Sequence, residues 1–150
     1  MLPTPTLSAW DIKFLGLARF VATWSKDPST KVGAVAVGET PNLISVGYNG
    51  HPPGVADTHE RLCNREVKVK TVLHAETNAL LNAQFRPVRL YCTHPPCIRC
   101  AAQILAYRSV EQVITFAPTE DFLSRWGQDF LESKGLLAEA GVLFNTVSVQ

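Results

Sequence analysis

Between Ser8 and Ser25 the apolar side chains Ile12, Phe14, Leu15, Ala18, Val21 and Ala22 recur at helical spacing, which predicts an amphipathic first helix. The period then shortens to two. KVGAVAV (31–37) and LISVGYN (43–49) are β-branched runs on either side of GETPN, the pattern of an antiparallel hairpin with a longer loop. Asn49-Gly50 and Pro52-Pro53-Gly54 stop the second strand. Residues 50–71 are too long for a bare loop, and Asp57 followed three positions later by Glu60 has the form of a capping box, so a short helix is expected over about 58–66. Beyond it the pattern predicts a helix from about Leu73 to Ala83, a strand at VRLYC (88–92), a helix from Cys97 to Tyr107 and a strand at EQVITF (111–116). One more helix lies within DFLSRWGQDFLESKGLLAEAG, closing at Gly141, and VLFNTVSV (142–149) is the last strand.

A helix, a hairpin and then alternating helices and strands call for parallel strands joined by right-handed crossovers. The expected class is therefore α/β, a mixed five-stranded sheet with helices on both faces. No repeat or linker divides the chain, so residues 1–150 are expected to form one domain. With 46% hydrophobic and 18% charged residues the chain is neither a disordered tail nor a strongly charged nucleic-acid binder, and a net charge of +1 selects no partner. FLGLARFVATW (14–24) carries Arg19 and falls well short of the ~20 residues that span a bilayer. MLPTPTLSAWD has no basic region leading into an apolar one, so a cytoplasmic location without membrane contact is expected. There the four cysteines, Cys63, Cys92, Cys97 and Cys100, are thiols rather than disulfides, open to metal or redox chemistry.

The candidate chemistry begins in LHAETNAL, where His74 and Glu76 sit two apart at a helix start. Alone the pair says little, since a helix start welcomes an acid. THPPCIRC (93–100) changes its meaning. Cys97 and Cys100 are three apart at the beginning of a helix, so their side chains leave nearly one face, and Pro95 and Pro96 direct the chain into it. Helix N-terminal amides favour the thiolate form that a metal requires. Two thiolates and the His74 imidazole suit Zn²⁺ with the fourth position left to water, whose pKa zinc lowers to about 7. Glu76 then carries protons rather than metal. His74, Glu76, Pro96, Cys97 and Cys100 together fill the H-x-E…P-C-x-x-C signature of zinc-dependent nucleobase deaminases. Two other readings compete. A dithiol redox pair leaves His74 and Glu76 without a purpose. A closed structural zinc site needs a fourth ligand, for which Cys63, Cys92 and His94 are the candidates; otherwise Cys92 is expected to be a buried apolar residue and Cys63 incidental.

With SKDPSTKVGAVAV, GYNGHPPGVAD and ERLCNREVKVK, these motifs span about Trp10 to Gly141 and resemble the cytidine and deoxycytidylate deaminase superfamily, most of all its dCMP deaminases. The resemblance implies a three-layer α/β/α cytidine-deaminase-like fold, and one Zn²⁺ per chain on His74, Cys97 and Cys100. It implies hydrolysis of dCMP to dUMP and ammonia, supplying thymidylate synthesis, with Glu76 as the catalytic acid–base. It also marks Asn49 as a contact to sugar or base, Lys31 to the 5′-phosphate and His94 to substrate. A turn-forming Asn before Gly and a solvated Lys at a strand start are the plainer readings of the first two. Free-cytidine deaminases usually carry Cys where His74 stands. Relatives often have a Tyr- and Arg-containing segment after the fourth strand and ligands for a second zinc, whereas this chain has FAPTEDFLSRWGQDF and no spare cluster. Regulation by dCTP and dTTP is therefore not expected, and dCTP or a 5-modified dCMP stays open as substrate. A nucleic-acid base is a further alternative, against which the near-neutral charge speaks. The resemblance also implies a homo-oligomer, dimer, tetramer or hexamer, to which Trp10, Trp24 and Trp126 are candidate contributors.

Overall fold

The computed structural model of the chain describes residues 6–148. Val149 of the expected last strand, and residues 1–5 of the stretch read for a leader, lie outside them. The elements run α1 (Ala9–Ala22), β1 (Gly33–Val37), β2 (Ile44–Tyr48), α2 (His59–Cys63), α3 (Arg65–Thr71), α4 (Ala75–Asn82), β3 (Arg89–Cys92), α5 (Ile98–Ala106), β4 (Gln112–Phe116), α6 (Glu120–Glu139) and β5 (Leu143–Val147). The strands form one sheet ordered β2-β1-β3-β4-β5, antiparallel across the first three and parallel from β3 to β5.

The period-two pattern sorts each strand's side chains to two faces. Ala34, Ala36, Leu90, Cys92 and Val113 pack under α4, α5 and α6, against Ala79, Ala101, Ile104 and Leu137. Val35, Val37, Tyr91 and Ile114 point the other way, against Phe14, Leu15 and Ala18 of α1. The layers are therefore helix, sheet, helix, as expected, with three helices on one side because β3–α5–β4 and β4–α6–β5 cross over in the same direction. Two glycines let helices lie directly on strands. A Cβ on Gly33 would meet the backbone of Ala18 and Ala22 in α1, and one on Gly47 the backbone of Ala75 and Ala79 in α4.

Helix α1 starts at a true capping box: the Asp11 amide donates to Ser8 Oγ and the Ser8 amide to Asp11 Oδ2. Asp11 also accepts a 2.6 Å hydrogen bond from the buried Tyr91 hydroxyl, which locks α1 to β3. Burial, and then this carboxylate, push the Tyr91 pKa well above its ordinary value.

Segment 50–71 corrects one expectation. It holds two helices rather than one, divided at Asn64, which closes α2 and caps α3. The α2 cap is Thr58, whose Oγ1 accepts from the Arg61 amide at 3.2 Å. Asp57 is drawn away to His51 at 3.0 Å and to Lys26 at 3.1 Å. The His51 ring bridges Asp57 to Thr71 Oγ1, 3.0 Å from its other nitrogen, and so ties both ends of the segment together. Among the described residues no helix is long and apolar enough to cross a membrane.

Candidate active site

Three chain ends meet where β3 finishes. Since β1 is antiparallel to β3, with Ala34 opposite Cys92, the start of β1 lies beside the exit of β3; Gly33 opposite Tyr48 brings the end of β2 to the same edge. The N-termini of α4 and α5 open there too, the usual location of α/β sites.

His74 occupies the N-cap position of α4, but its side chain caps nothing, and the ring turns toward α5 instead. Its Nδ1 lies 3.2 Å from Cys100 Sγ and 3.6 Å from Cys97 Sγ. A zinc tetrahedron with ordinary bond lengths has an N···S edge of about 3.6 Å. The three donor atoms lie within 4.8 Å of one another and form the one cluster of this kind among the described residues. One nitrogen and two sulfurs at this spacing fit zinc, with no fourth protein donor among the described residues. Cys92 and His94 stand outside the cluster, as does Cys63, which is exposed with its sulfur 3.6 Å from His59 Nδ1.

The electrostatics distinguish the two sulfurs. Cys97 is the N-cap residue of α5 and accepts from the Cys100 amide at 3.4 Å. The Cys100 thiol proton, helped by His74 and that amide, brings the Cys97 pKa down to about 4 in spite of burial. Cys100 is correspondingly pushed up, holding the shared proton in a buried position. The hydrogen bond to Cys97 raises His74, with burial opposing and the Glu76 charge adding to it.

Glu76 is the second residue of α4, in its first turn, and is 5% exposed. Its Oε1 accepts from the Cys92 thiol at 3.1 Å. Burial first, and then the Glu76 charge, push the Cys92 thiol well above its ordinary pKa, so it remains a donor. Cys92 is as buried as its strand position implies and also orients a carboxylate.

The other sequence candidates reach the same edge of the sheet. Asn49 is buried and its amide is engaged: Oδ1 accepts from the Val32 amide at 2.8 Å, and Nδ2 donates to Thr30 O at 2.9 Å. Lys31, on the loop so held, is exposed and makes no ion pair among the described residues. His94 follows Thr93, whose hydroxyl lies 2.9 Å from its Nδ1 and also accepts from the Gly33 amide. Burial lowers the His94 pKa, which keeps the ring neutral at pH 7.

Residues 8–117 match the family model for the cytidine and deoxycytidylate deaminase zinc-binding region. The chain belongs to this deaminase family. An uncharacterised deaminase from the luxG 3′ region of Aliivibrio fischeri is 42% identical over 91% of this chain and 92% of its own length. A probable deoxycytidylate deaminase of Caenorhabditis elegans is 34% identical over 87% of this chain and 69% of its own. The fold matches that of the dCMP deaminase of cyanophage S-TIM5 in its apo form, with a TM-score of 0.71 at 24% identity over 95% of this chain and all of that one. The protein is thus a hydrolytic deaminase with zinc as its cofactor, and the cluster that fits zinc lies inside the matched region.

Three participants near the deaminase site escaped the sequence. Asp27 accepts from the Ser29 and Thr30 amides and from Lys68 of α3, at 2.8, 3.1 and 3.2 Å, which joins the Lys31 loop to segment 50–71. Phe122 of α6 lies against His94 with ring centroids 6.4 Å apart. Asp129 of α6 reaches the first amide of α5. The pairings Asp27–Lys68, Phe122–His94 and Asp129–Ile98 are long-range, and nothing in the local pattern signals them.

Proposed function

We propose that this deaminase converts dCMP to dUMP and ammonia, with one zinc per chain on His74, Cys97 and Cys100 and with Glu76 as the catalytic acid–base. The observation that carries the reading is the three-donor cluster with a vertex left open beside a buried carboxylate that is not itself a donor to the metal. Held by His74, Cys97 and Cys100, a zinc ion would act as a Lewis acid that lowers the pKa of the attacking water to near neutrality. Glu76 accepts a proton from the water that attacks C4 of the cytosine and passes it to ring N3, then takes the remaining proton from the hydroxyl now on C4 and delivers it to the amino group, which leaves as ammonia as the C4 carbonyl forms. The Cys92 thiol holds Oε1 and so fixes the plane of the carboxylate.

Lys31 offers an unpaired ammonium for the 5′-phosphate. The neutral His94 offers a hydrogen bond rather than a charge. Asn49 holds the Lys31 loop and presents the remaining lone pair of Oδ1 to sugar or base. The substrate assignment is supported by the name of the Caenorhabditis elegans relative and by the cyanophage enzyme, which has been crystallised with dCMP and dUMP. We place the enzyme in a reducing compartment such as the cytoplasm, because two of its metal ligands are thiols that oxidation would join. The exposed aromatic run Phe20, Trp24 and Tyr48 supports a homo-oligomer, which a monomer in sedimentation velocity would contradict.

The test is ammonia release from dCMP, dCTP, deoxycytidine and a cytosine-containing oligonucleotide, side by side with zinc-loaded protein. Preferential turnover of dCMP is expected. Preference for dCTP or the oligonucleotide would overturn the substrate assignment while leaving the zinc chemistry in place.

A further inference from the structure

The segment that departs from the family pattern, FAPTEDFLSRWGQDF, is where α6 meets the zinc loop. Phe122 and Asp129 are seven residues apart, two turns along one face of α6. Phe122 lies against His94 at one end of the loop, and at the other both oxygens of Asp129 bracket the Ile98 amide, at 3.2 and 3.4 Å. Ile98 is the first residue of α5 and directly follows Cys97.

The first amides of a helix have no partner within it and must find one elsewhere. At α5 they are divided: the Cys100 amide serves the Cys97 sulfur, and the Ile98 amide serves Asp129. The Cys97–Ile98 peptide is therefore gripped from outside its own helix, and its orientation sets the direction in which the Cys97 side chain leaves the backbone. An acid at this position also complements the helix dipole.

We propose that Asp129 is a positioning residue of the metal centre, holding the Cys97–Ile98 peptide so that the Cys97 sulfur is preset for zinc. The proposal rests on His74, Cys97 and Cys100 being the ligands. Outer partners of metal ligands typically contribute about 10–100-fold to affinity. Asp129→Ala is therefore expected to weaken zinc binding by about that factor, and Asp129→Asn, which keeps an acceptor oxygen, to restore most of it.

The same hydrogen bond can be removed from its other end. Ile98→Pro deletes the donor at the first helical position, where proline is well accommodated, and Cys97, with φ −70° and ψ 168°, already has the extended backbone that a residue before proline adopts. It serves as the independent variant should Asp129→Ala not fold. The experiment measures zinc dissociation constants by competition with a chromophoric chelator, and the cobalt-substituted absorption spectrum, for the full chain, both single variants and the double variant. Losses in both singles that do not add in the double, with altered thiolate–cobalt bands, are expected. Wild-type affinity and spectrum in the singles, or losses that add in full, would overturn the positioning role. Failure of the unsubstituted chain to bind zinc would overturn the ligand assignment itself.

Discussion

Glu76 is a carboxylate 5% exposed whose one structural partner in the sheet is a thiol, an arrangement that suits the proton-carrying role proposed for it. His74, two residues earlier, turns outward from the same helix start to the sulfurs. This division of labour separates the variants. Glu76→Gln is expected to keep its full zinc content and to lose turnover by at least the ~10²–10⁴-fold typical of a missing acid–base, whereas His74→Ala loses zinc and turnover together. Metal analysis beside ammonia release checks both, and a Glu76→Gln enzyme with native turnover would contradict the assigned role. The clustering of His74, Cys97 and Cys100 near Glu76 was legible in the sequence because zinc chemistry demands particular residue types at particular spacings on helix starts. The thiol on Glu76 was not. Cys92 reads correctly as a buried strand residue, but its partner depends on which helix covers that face of β3.

At the scale of elements, close approach is what positions the site. Gly33→Ala forces α1 off β1 and is expected to destabilise the fold by about 1–3 kcal/mol or more. Gly16→Ala, on the exposed side of α1 with open space around it, is expected to stabilise by about 0.5–1 kcal/mol. Thermal unfolding of the two variants distinguishes these outcomes, and equal melting temperatures would contradict the packing account. The loops behave as a pH-sensitive tie. Burial alone would raise Asp27, but the Thr30 and Ser29 amides and Lys68 bring it below its ordinary 3.8, and His51 and then Lys26 do the same for Asp57. Depressed folded pKa values mean that this stabilisation is complete above the unfolded value and is lost as pH falls from there through the lower folded one. Amide exchange in residues 50–71 should therefore accelerate selectively below about pH 4; a uniform response along the chain would contradict the tie. This segment was also the least legible, since Asp57 resembles a cap until His51, six residues earlier and folded back onto it, competes for the carboxylate.

For the whole molecule, the sheet followed from one change of pattern: a period-two hairpin, then strands alternating with helices, which right-handed crossovers turn into β3, β4 and β5 in order. What local pattern could not supply was α6 lying along the zinc loop, because Phe122–His94 and Asp129–Ile98 join segments that are about 30 residues apart and share no periodicity. The result is a sheet edge at which two helix starts, a hairpin end and a distant helix converge on one metal position. The most direct test is dCMP turnover followed through removal of zinc by a chelator and its stepwise return. The account predicts that ammonia release disappears with the metal and is restored in full at one zinc per chain. Turnover that persists without zinc, or a chain with one zinc bound that leaves dCMP intact, would contradict it.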